Sequence, residues 1–222
     1  MSQKIRVLAV SDEIAPAVNR FEVRELEPDL IVSCGDLPFD YLEYLVSTLN
    51  VPLVFVPGNH DPDLAPDPTA RLEPQGFSWS AHVDAEAGPG GCENIDGRVV
   101  QVAGLTIAGL GGSIRYNAGP NQYTQRQMTR RALKLQARTL LPVGQRRRVD
   151  MLITHAPPLG LGDGQDSPHQ GIQALHRLTR VLEPAYLLHG HIHPHGFQQP
   201  DRQIGSTAIV NVIPYKLLEI EA

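Results

Sequence analysis

Five short apolar segments, each followed by a residue that can bind a metal, constrain the fold of this chain more than any other feature. The segments are Ile5–Val10, Asp29–Ser33, Leu53–Val56, Met151–Thr154 and Tyr186–Leu188. Short, nearly continuous apolar runs are typical of parallel strands that are buried on both faces. Because ligands bind beyond the carboxyl ends of such strands, the sequence predicts that the five strand ends and their polar residues converge on one rim.

The polar residues after these segments form clusters with the donor types of a metal site. In chain order the clusters are Asp12, Gly35-Asp36, Gly58-Asn59-His60-Asp61, His155 and Gly190-His191-Ile192-His193. Two cations roughly 3.5–4 Å apart can clamp a phosphoryl group. Holding them takes a bridging carboxylate together with imidazole and amide or carboxylate ligands. The glycines at 35, 58 and 190 permit tight turns and close backbone approach there.

Helical spacing lies between the strand-like segments. It predicts helices at Phe39–Leu49, Thr124–Leu141 and Pro168–Leu182. Short strands with Gly or Pro punctuation follow one another at Arg98–Leu110 and at Ala208–Ile220, which favours antiparallel or mixed pairing. We therefore expect an α/β fold of two packed sheets with helices on the outside. A further stretch rich in Pro, Gly and Ala, residues 61–91, is expected to be mostly irregular.

Composition places the chain among ordinary globular proteins, with 41% hydrophobic and 19% charged residues in a length of 222. We expect a single domain over residues 1–222. The net charge of -5 and the lack of a basic stripe argue against nucleic acid as the main substrate. No apolar run is long enough for a membrane span, the N-terminus leads directly into a strand, and Cys34 and Cys92 form no disulfide framework. These features predict a cytoplasmic protein without membrane partners, and they give no indication of its oligomeric state.

The ordered clusters, from Asp12 to His193, resemble the motifs of the calcineurin-like metallophosphoesterase superfamily. The resemblance covers nearly the whole chain and implies a four-layer α/β/β/α sandwich with two mixed β-sheets. It also implies a dinuclear metal site in which a carboxylate bridges both ions. The metal ligands carried over by the resemblance are Asp12, Asp36 (the bridge), Asn59, His155, His191 and His193. It further implies that His60 contacts the phosphate and helps the leaving group depart, with Asp61 orienting it.

One position departs from the family pattern. The first family motif is Asp-x-His, but here the segment reads Asp12-Glu13-Ile14, and isoleucine cannot bind a metal. One of the two sites is then left with Asp12, Asp36 and His193, unless Glu13, water or another side chain fills the gap. We expect one or two divalent ions, with Mn²⁺ favoured and Fe, Zn or Ni as alternatives. A mononuclear enzyme and a scaffold without catalysis are both open.

A second segment, Gly111–Asn117, follows a predicted strand and contains Arg115 and Tyr116. A Gly-Gly turn followed by arginine can bring a guanidinium group to a phosphate, which its planar fork fits. We therefore predict that Arg115 binds substrate together with Asn59 and His60. His169 can approach the site from its loop, although a solitary histidine of this kind more often lies elsewhere.

These patterns favour a hydrolase that acts on a phosphate ester, preferably a small phosphodiester, with water activated by the metal. A phosphomonoesterase or a phosphoprotein phosphatase is an alternative, because the clamp on the phosphoryl group is common to all. A catalytically inert metal-binding or protein-interaction module on the same fold is another alternative, motivated by Ile14. The retained Asn59, His60 and His155 argue against the inert module.

Overall fold

The computed structural model describes residues 4–18, 21–64, 88–139, 148–194 and 200–221. Three α-helices lie in these ranges: α1 (Phe39–Leu49), α2 (Gln125–Thr139) and α3 (Ala174–Leu182). The strands of the same ranges are β1 (Lys4–Val10), β2 (Leu30–Ser33), β3 (Leu53–Phe55), β4 (Cys92–Asn94), β5 (Val99–Val102), β6 (Leu105–Leu110), β7 (Ser113–Ile114), β8 (Gln122–Tyr123), β9 (Met151–Thr154), β10 (Tyr186–His189), β11 (Arg202–Ile204), β12 (Thr207–Asn211) and β13 (Tyr215–Glu221). All five strand-like segments of the sequence are therefore strands.

The strands form two large mixed sheets, each with a parallel centre and at least one antiparallel edge strand. The five-stranded sheet has the order β13-β1-β2-β3-β4, in which β1 to β4 are parallel and β13 is antiparallel to β1. The six-stranded sheet has the order β11-β12-β10-β9-β6-β5, in which only the edge strands β11 and β5 are antiparallel to their neighbours. The mixed pairing expected for the regions 98–110 and 208–220 is confirmed.

The two sheets pack face to face. The side chains of β1, which point alternately to its two faces, show which face of its sheet meets the other sheet. Val7 and Ala9 belong to a buried cluster that also contains Ile107 and Ile153 of the six-stranded sheet. Successive side chains of a strand point to opposite faces, so Leu8 lies on the other face of the sheet. There it belongs to a separate buried cluster, which includes residues of α1.

Helices cover both outer faces. Leu45 of α1 packs against the five-stranded sheet. On the other side, Met128 and Leu135 of α2 and Leu178 of α3 share a buried cluster with Leu152 of β9. The order of layers is thus α1, the five-stranded sheet, the six-stranded sheet, and α2 with α3. The predicted four-layer α/β/β/α sandwich is confirmed.

Two of the three predicted helices differ from their sequence-based bounds. The helix predicted at Thr124–Leu141 starts at Gln125, because Thr124 caps it: its Oγ1 accepts from the Gln127 amide while Gln127 Oε1 accepts from the Thr124 amide. Its last two predicted residues lie outside the described ranges. The prediction of a continuous helix at Pro168–Leu182 is wrong in its first half.

The first half of that segment forms a 3₁₀ turn at Ser167–His169 instead of α-helix. Gln170 is extended, and Ile172 makes a parallel bridge with Pro158. A Cβ on Gly171 would meet the backbone of Leu159 and Pro158, so the chain passes this point too closely for a helix. The helix α3 therefore begins only after this crossing.

Most of the segment that the sequence predicted to be irregular, residues 65–87 within 61–91, lies outside the described residues. Among the helices of the described ranges, none has both the length and the apolar character needed to span a membrane.

Candidate metal centre

The carboxyl ends of five parallel strands deliver the predicted ligands to one place. Asp12 follows β1, Asp36 follows β2, Asn59 follows β3, His155 follows β9 and His191 follows β10. A cavity of about 330 Å³ opens there. It is lined by Asp12, Asp36, Asn59, His60, Tyr116, Pro168, His169, His191 and His193. Three of these strands belong to the five-stranded sheet and two to the six-stranded sheet, so the carboxyl ends of both sheets form the rim at which these side chains gather.

The buried imidazole of His155 stands at the centre of the arrangement. Its Nδ1 donates to the carbonyl of Cys34 at 2.8 Å, which directs Nε2 toward two oxygens. Nε2 lies 3.0 Å from Asn59 Oδ1 and 3.3 Å from Asp36 Oδ2. Burial alone would lower the pKa of His155, but the negative charge of Asp36 and their hydrogen bond raise it to about 9. In the absence of metal, a proton on Nε2 therefore occupies the place between these oxygens.

His191 presents its other ring nitrogen to the same place. The backbone amide of His191 donates to Asp12 Oδ2 at 3.0 Å, and its Nε2 donates to the Pro168 carbonyl at 2.8 Å. The Nδ1 lone pair is then available for a cation. Burial, followed by the charge of His155, lowers the pKa of His191 to about 3, so the ring is neutral. One ligand atom each of Asp36, His155 and His191 lies within 4.8 Å of the others.

The two carboxylates of the site, Asp12 and Asp36, both have positive φ angles, 59° and 56°. Burial raises the pKa of Asp12. Burial also acts to raise the pKa of Asp36, but the charge of His155 and hydrogen bonds from His155 and His60 outweigh it and hold that pKa below its usual value. Mixed carboxylate, amide and imidazole donors of this kind fit a divalent transition-metal ion or Mn²⁺.

The other half of the predicted dinuclear site is less complete. His193 Nδ1 donates to Glu13 Oε1 at 2.7 Å, and His193 Nε2 lies 3.9 Å from Asp12 Oδ1. Glu13 therefore orients His193 and does not take the place of the missing ligand. Ile14 is 42% exposed and does not line the cavity.

Two glycines are required by the carboxylates that they face. A Cβ on Gly58 would collide with the carboxyl group of Asp36, and a Cβ on Gly190 would collide with Asp12 and with the Ser11 hydroxyl. The hydroxyl of Ser11 donates to Asp12 Oδ2 at 2.5 Å. The close backbone approach predicted for these glycines is confirmed, since there is no space for a larger residue.

The predicted catalytic pair has only one member in the cavity lining. His60 lines the cavity, and its backbone amide donates to Asp36 Oδ1 at 2.8 Å. Asp61 Oδ2 accepts from the amides of Gly58 and Asp36 at 2.7 and 3.0 Å. Asp61 thus ties the loop after β3 to the loop after β2. The orientation of His60 by Asp61 stays a prediction.

The substrate contact predicted for Arg115 stays a prediction, and in the structure Arg115 is bonded within its own segment. Its Nε and one terminal nitrogen donate to the carbonyl of Gln122 at 3.3 and 3.1 Å, and it does not line the cavity. The neighbouring Tyr116 lines the cavity instead. Its Oη lies 3.2 Å from Asn59 Nδ2. The sequence motif pointed to the correct segment, but side-chain direction there depends on pairing between β7 and β8, which the sequence pattern did not reveal.

His169 is a second cavity residue to which sequence reasoning gave little weight. Its ring centroid lies 5.8 Å from that of His191, and its Nδ1 donates to Asp166 Oδ2 at 2.7 Å. His189, expected in the core or beside the site, is buried, and burial lowers its pKa to about 4. The 3₁₀ turn at Ser167–His169 is the element that brings His169 to the cavity.

Comparison with known proteins agrees with this geometry. One crystal structure has a TM-score of 0.61 at 15% identity, with 99% of both chains covered. The crystal structure of TT1561 from Thermus thermophilus has a TM-score of 0.56 at 17% identity, with 95% of this chain and 89% of that chain covered. At such identities the likeness shows the fold alone. Among curated proteins, none matches the sequence significantly. The family model of calcineurin-like phosphoesterases matches residues 7–195. The chain belongs to the calcineurin-like phosphoesterases and is a metal-dependent phosphoric ester hydrolase.

Proposed function

We propose that this enzyme hydrolyses a small phosphodiester with the help of one or two divalent cations. The observation that supports it most is the position of His155 Nε2, with Asn59 Oδ1 at 3.0 Å and Asp36 Oδ2 at 3.3 Å. A nitrogen and two oxygens held this close, with the other ring nitrogen fixed by a backbone carbonyl, form a cradle for a positive charge. A proton fills it without metal, and a divalent cation fits the same donors.

Two unequal sites follow from the donor set. The first is formed by Asp36, Asn59, His155 and His191. The second is formed by Asp12, Asp36 and His193, and it lacks a ligand at Ile14. A site with fewer protein ligands and more carboxylate oxygen binds more weakly and favours an oxygen-preferring ion, so we propose Mn²⁺ as the working metal.

The roles of the chain around the phosphoryl group can then be assigned. When bound, the cations supply a water of lowered pKa and neutralise charge that develops on the phosphoryl oxygens. His60, at the cavity wall, contacts a phosphoryl oxygen and gives a proton to the leaving alkoxide. Asp61 holds the loop of His60 against the loop of Asp36 through two backbone hydrogen bonds. These two hydrogen bonds fix the position of the His60 loop relative to Asp36.

The charge of the cavity favours a diester over a monoester. Among the described residues that line it, there is no lysine and no arginine. A phosphodiester carries one negative charge, whereas a monoester dianion brings a second that requires a further counter-charge. The net charge of -5 also disfavours long nucleic acid, whose binding depends on many phosphate contacts. A small organic or cyclic phosphodiester fits both conditions.

We place the enzyme in the cytoplasm. Cys34 and Cys92 are both free thiols, and Cys34 is buried. Free thiols persist in a reducing compartment, which supports this localisation.

The first experiment measures hydrolysis of an aryl phosphodiester and the matching aryl monoester, with chelator and then with added Mn²⁺. We expect Mn²⁺-dependent turnover with a preference for the diester. The variants Asn59→Ala and His191→Ala should abolish it. His176→Ala serves as the control, because His176 donates to the Leu159 carbonyl and lies outside the cavity lining. Undiminished activity in either cavity variant would overturn the site assignment. If the wild type hydrolyses neither ester, the result would favour the catalytically inert module.

A further inference from the structure

Tyr116 is held at the cavity by a segment that is anchored on both sides. The amide of Gly112 donates to the Pro57 carbonyl at 2.8 Å, and Asn121 Nδ2 donates to the Asp61 carbonyl at 3.0 Å. The amide of Tyr116 itself donates to Gln122 Oε1 at 3.1 Å. The loop after β6 is therefore fixed to the loop after β3, which carries Asn59. Tyr116 is in place before any ligand arrives.

His155 and Tyr116 together set the way the Asn59 carboxamide faces. Asn59 Oδ1 lies 3.0 Å from His155 Nε2, while Asn59 Nδ2 donates to Tyr116 Oη at 3.2 Å. The two ends of a carboxamide have nearly the same shape, so only their partners distinguish them. The proton on His155 Nε2 requires an oxygen on its side, and the nitrogen of Asn59 is then left to face Tyr116. Tyr116 Oη accepts from that nitrogen and so holds the carboxamide in place from its far end.

The same hydrogen bond leaves the Tyr116 proton without an acceptor among the described residues. A phenol has one proton to donate, and here its oxygen accepts from Asn59. Within the described ranges, no group of the protein accepts the Tyr116 proton. Tyr116 lines the cavity together with Asn59 and His60, and its hydroxyl lies 3.2 Å from Asn59 Nδ2. The acceptor that enters this space in a phosphoesterase is a phosphoryl oxygen.

We propose that Tyr116 is a substrate-contact residue, whose hydroxyl accepts from Asn59 and donates to a phosphoryl oxygen of the ester. The inference rests on the proposed function for the identity of the ligand, a tetrahedral phosphate. It replaces the contact that the sequence suggested for Arg115, so that a neutral donor takes the place of a guanidinium group. A neutral phenol adds no counter-charge, in keeping with a singly charged diester.

The test uses Tyr116→Phe, with Tyr123→Phe as the matched control. Tyr123 lies in the neighbouring strand β8 and stacks on the Arg131 guanidinium at 3.9 Å, outside the cavity lining. Calorimetry of the metal-free protein gives the affinity for Mn²⁺, and titration of the Mn²⁺-loaded protein gives the affinity for inorganic phosphate. Steady-state kinetics with the aryl phosphodiester give kcat and KM.

We expect Y116F to weaken phosphate binding by about threefold to tenfold, as for the loss of one hydrogen bond. We expect a smaller loss of Mn²⁺ affinity, because Asn59 is no longer held in one orientation. Y123F should leave both affinities unchanged. Tyr116→His, which keeps a ring donor, should recover part of the phosphate affinity. Thermal melting of each variant verifies that it is folded, and Tyr116→Leu, which also lacks the hydroxyl, carries the test if Y116F does not fold.

Three outcomes separate the inference from the proposed function. If the wild type turns over no ester but Y116F still binds phosphate more weakly than Y123F, the proposed function fails and the contact stands. If the wild type is active and Y116F equals it in phosphate affinity, KM and kcat, the contact is overturned. A Mn²⁺-loaded wild type that binds no phosphate also overturns it.

Discussion

Glu13 Oε1 lies 2.7 Å from Nδ1 of His193, and the two residues are 180 positions apart in the sequence. The bond fixes the tautomer of His193, because a carboxylate can only accept, and it leaves Nε2 facing Asp12. A carboxylate behind a ligand histidine raises its basicity and restricts its rotation. Glu13 thus supports the second of the two proposed metal sites, and it lies next to Ile14, where the family has a histidine ligand.

The first prediction is that Glu13→Ala weakens the second metal site and leaves the first intact. Removal of such a supporting partner typically costs about tenfold or more in metal affinity, and Glu13 is half exposed, so we expect the lower end, about tenfold. Metal titration with Mn²⁺ should show only the weaker of two binding phases shifted. Glu25→Ala, an exposed acidic change elsewhere on the surface, serves as the control. An equal shift in both variants would show that the effect is one of net charge alone.

The second prediction concerns the position that departs from the family pattern. Ile14→His should increase the amount of metal retained per chain after desalting, because a fourth protein side chain is added to Asp12, Asp36 and His193. Leu217→His is the matched control, since Leu217 is also a large exposed apolar residue, at 37% against 42% for Ile14. Elemental analysis measures the ratio of metal to protein. An unchanged ratio in I14H would mean that the backbone after Asp12 directs position 14 away from the metal.

Much of the site was predictable, because each ligand directly follows a short apolar run that is recognisable as a strand. Asp36 and Asn59 each follow a short apolar run, and the parallel order of β2 and β3 brings them together without any detail of packing. The two-sided burial of the sheets was also predictable, because the apolar residues of β1 alternate between its two faces and both faces are buried. These features depend on residues near one another in sequence, which a pattern can show.

What the sequence did not reveal depends on contacts between distant segments. The pairing of Glu13 with His193 joins segments that are 180 positions apart. Tyr116 faces Asn59 across 57 positions, and its direction depends on the two-residue strands β7 and β8. His169 reaches the cavity through a 3₁₀ turn where helical spacing predicted α-helix. None of these follows from periodicity, because each is set by the packing of loops.

The third prediction is that cations and protons compete for His155. Its pKa of about 9 in the metal-free protein lies above the ordinary value of about 6.5. The stability that this raised pKa contributes is therefore fully present below about pH 6.5 and is lost as the pH rises through about 9. Metal binding requires the deprotonated Nε2, so Mn²⁺ affinity should increase up to about tenfold per pH unit below pH 9.

Calorimetry at pH 7 in buffers of different ionisation enthalpy tests this competition. We expect release of close to one proton for the first Mn²⁺ bound. The thermal stability of the chelated protein should also fall between pH 6.5 and 9.5 by more in the wild type than in His155→Gln. Metal binding without proton release would contradict the raised pKa of His155.

The fourth prediction separates lack of space from backbone strain at the glycines of the site. Gly58→Ala places a methyl group against the Asp36 carboxylate, although the φ angle at Gly58 lies outside the positive range. Gly205→Ala is the reverse case, since Gly205 has φ 62° but nothing within 4 Å of the added Cβ. Strain at a positive φ costs about 1–2 kcal/mol, and overpacking costs about 1–3 kcal/mol. Urea denaturation should therefore show losses of similar size.

Metal binding should distinguish the two variants where stability does not. In G58A the Asp36 carboxylate must move away from His155 Nε2, so the Mn²⁺ affinity of the first site should fall by at least about tenfold. In G205A the distance of 3.3 Å between Asp36 Oδ2 and His155 Nε2 is unaffected, and the affinity should equal that of the wild type. Retention of wild-type Mn²⁺ affinity by G58A would show that Asp36 is not held by the space that Gly58 leaves, and that its role as the bridging ligand needs another explanation.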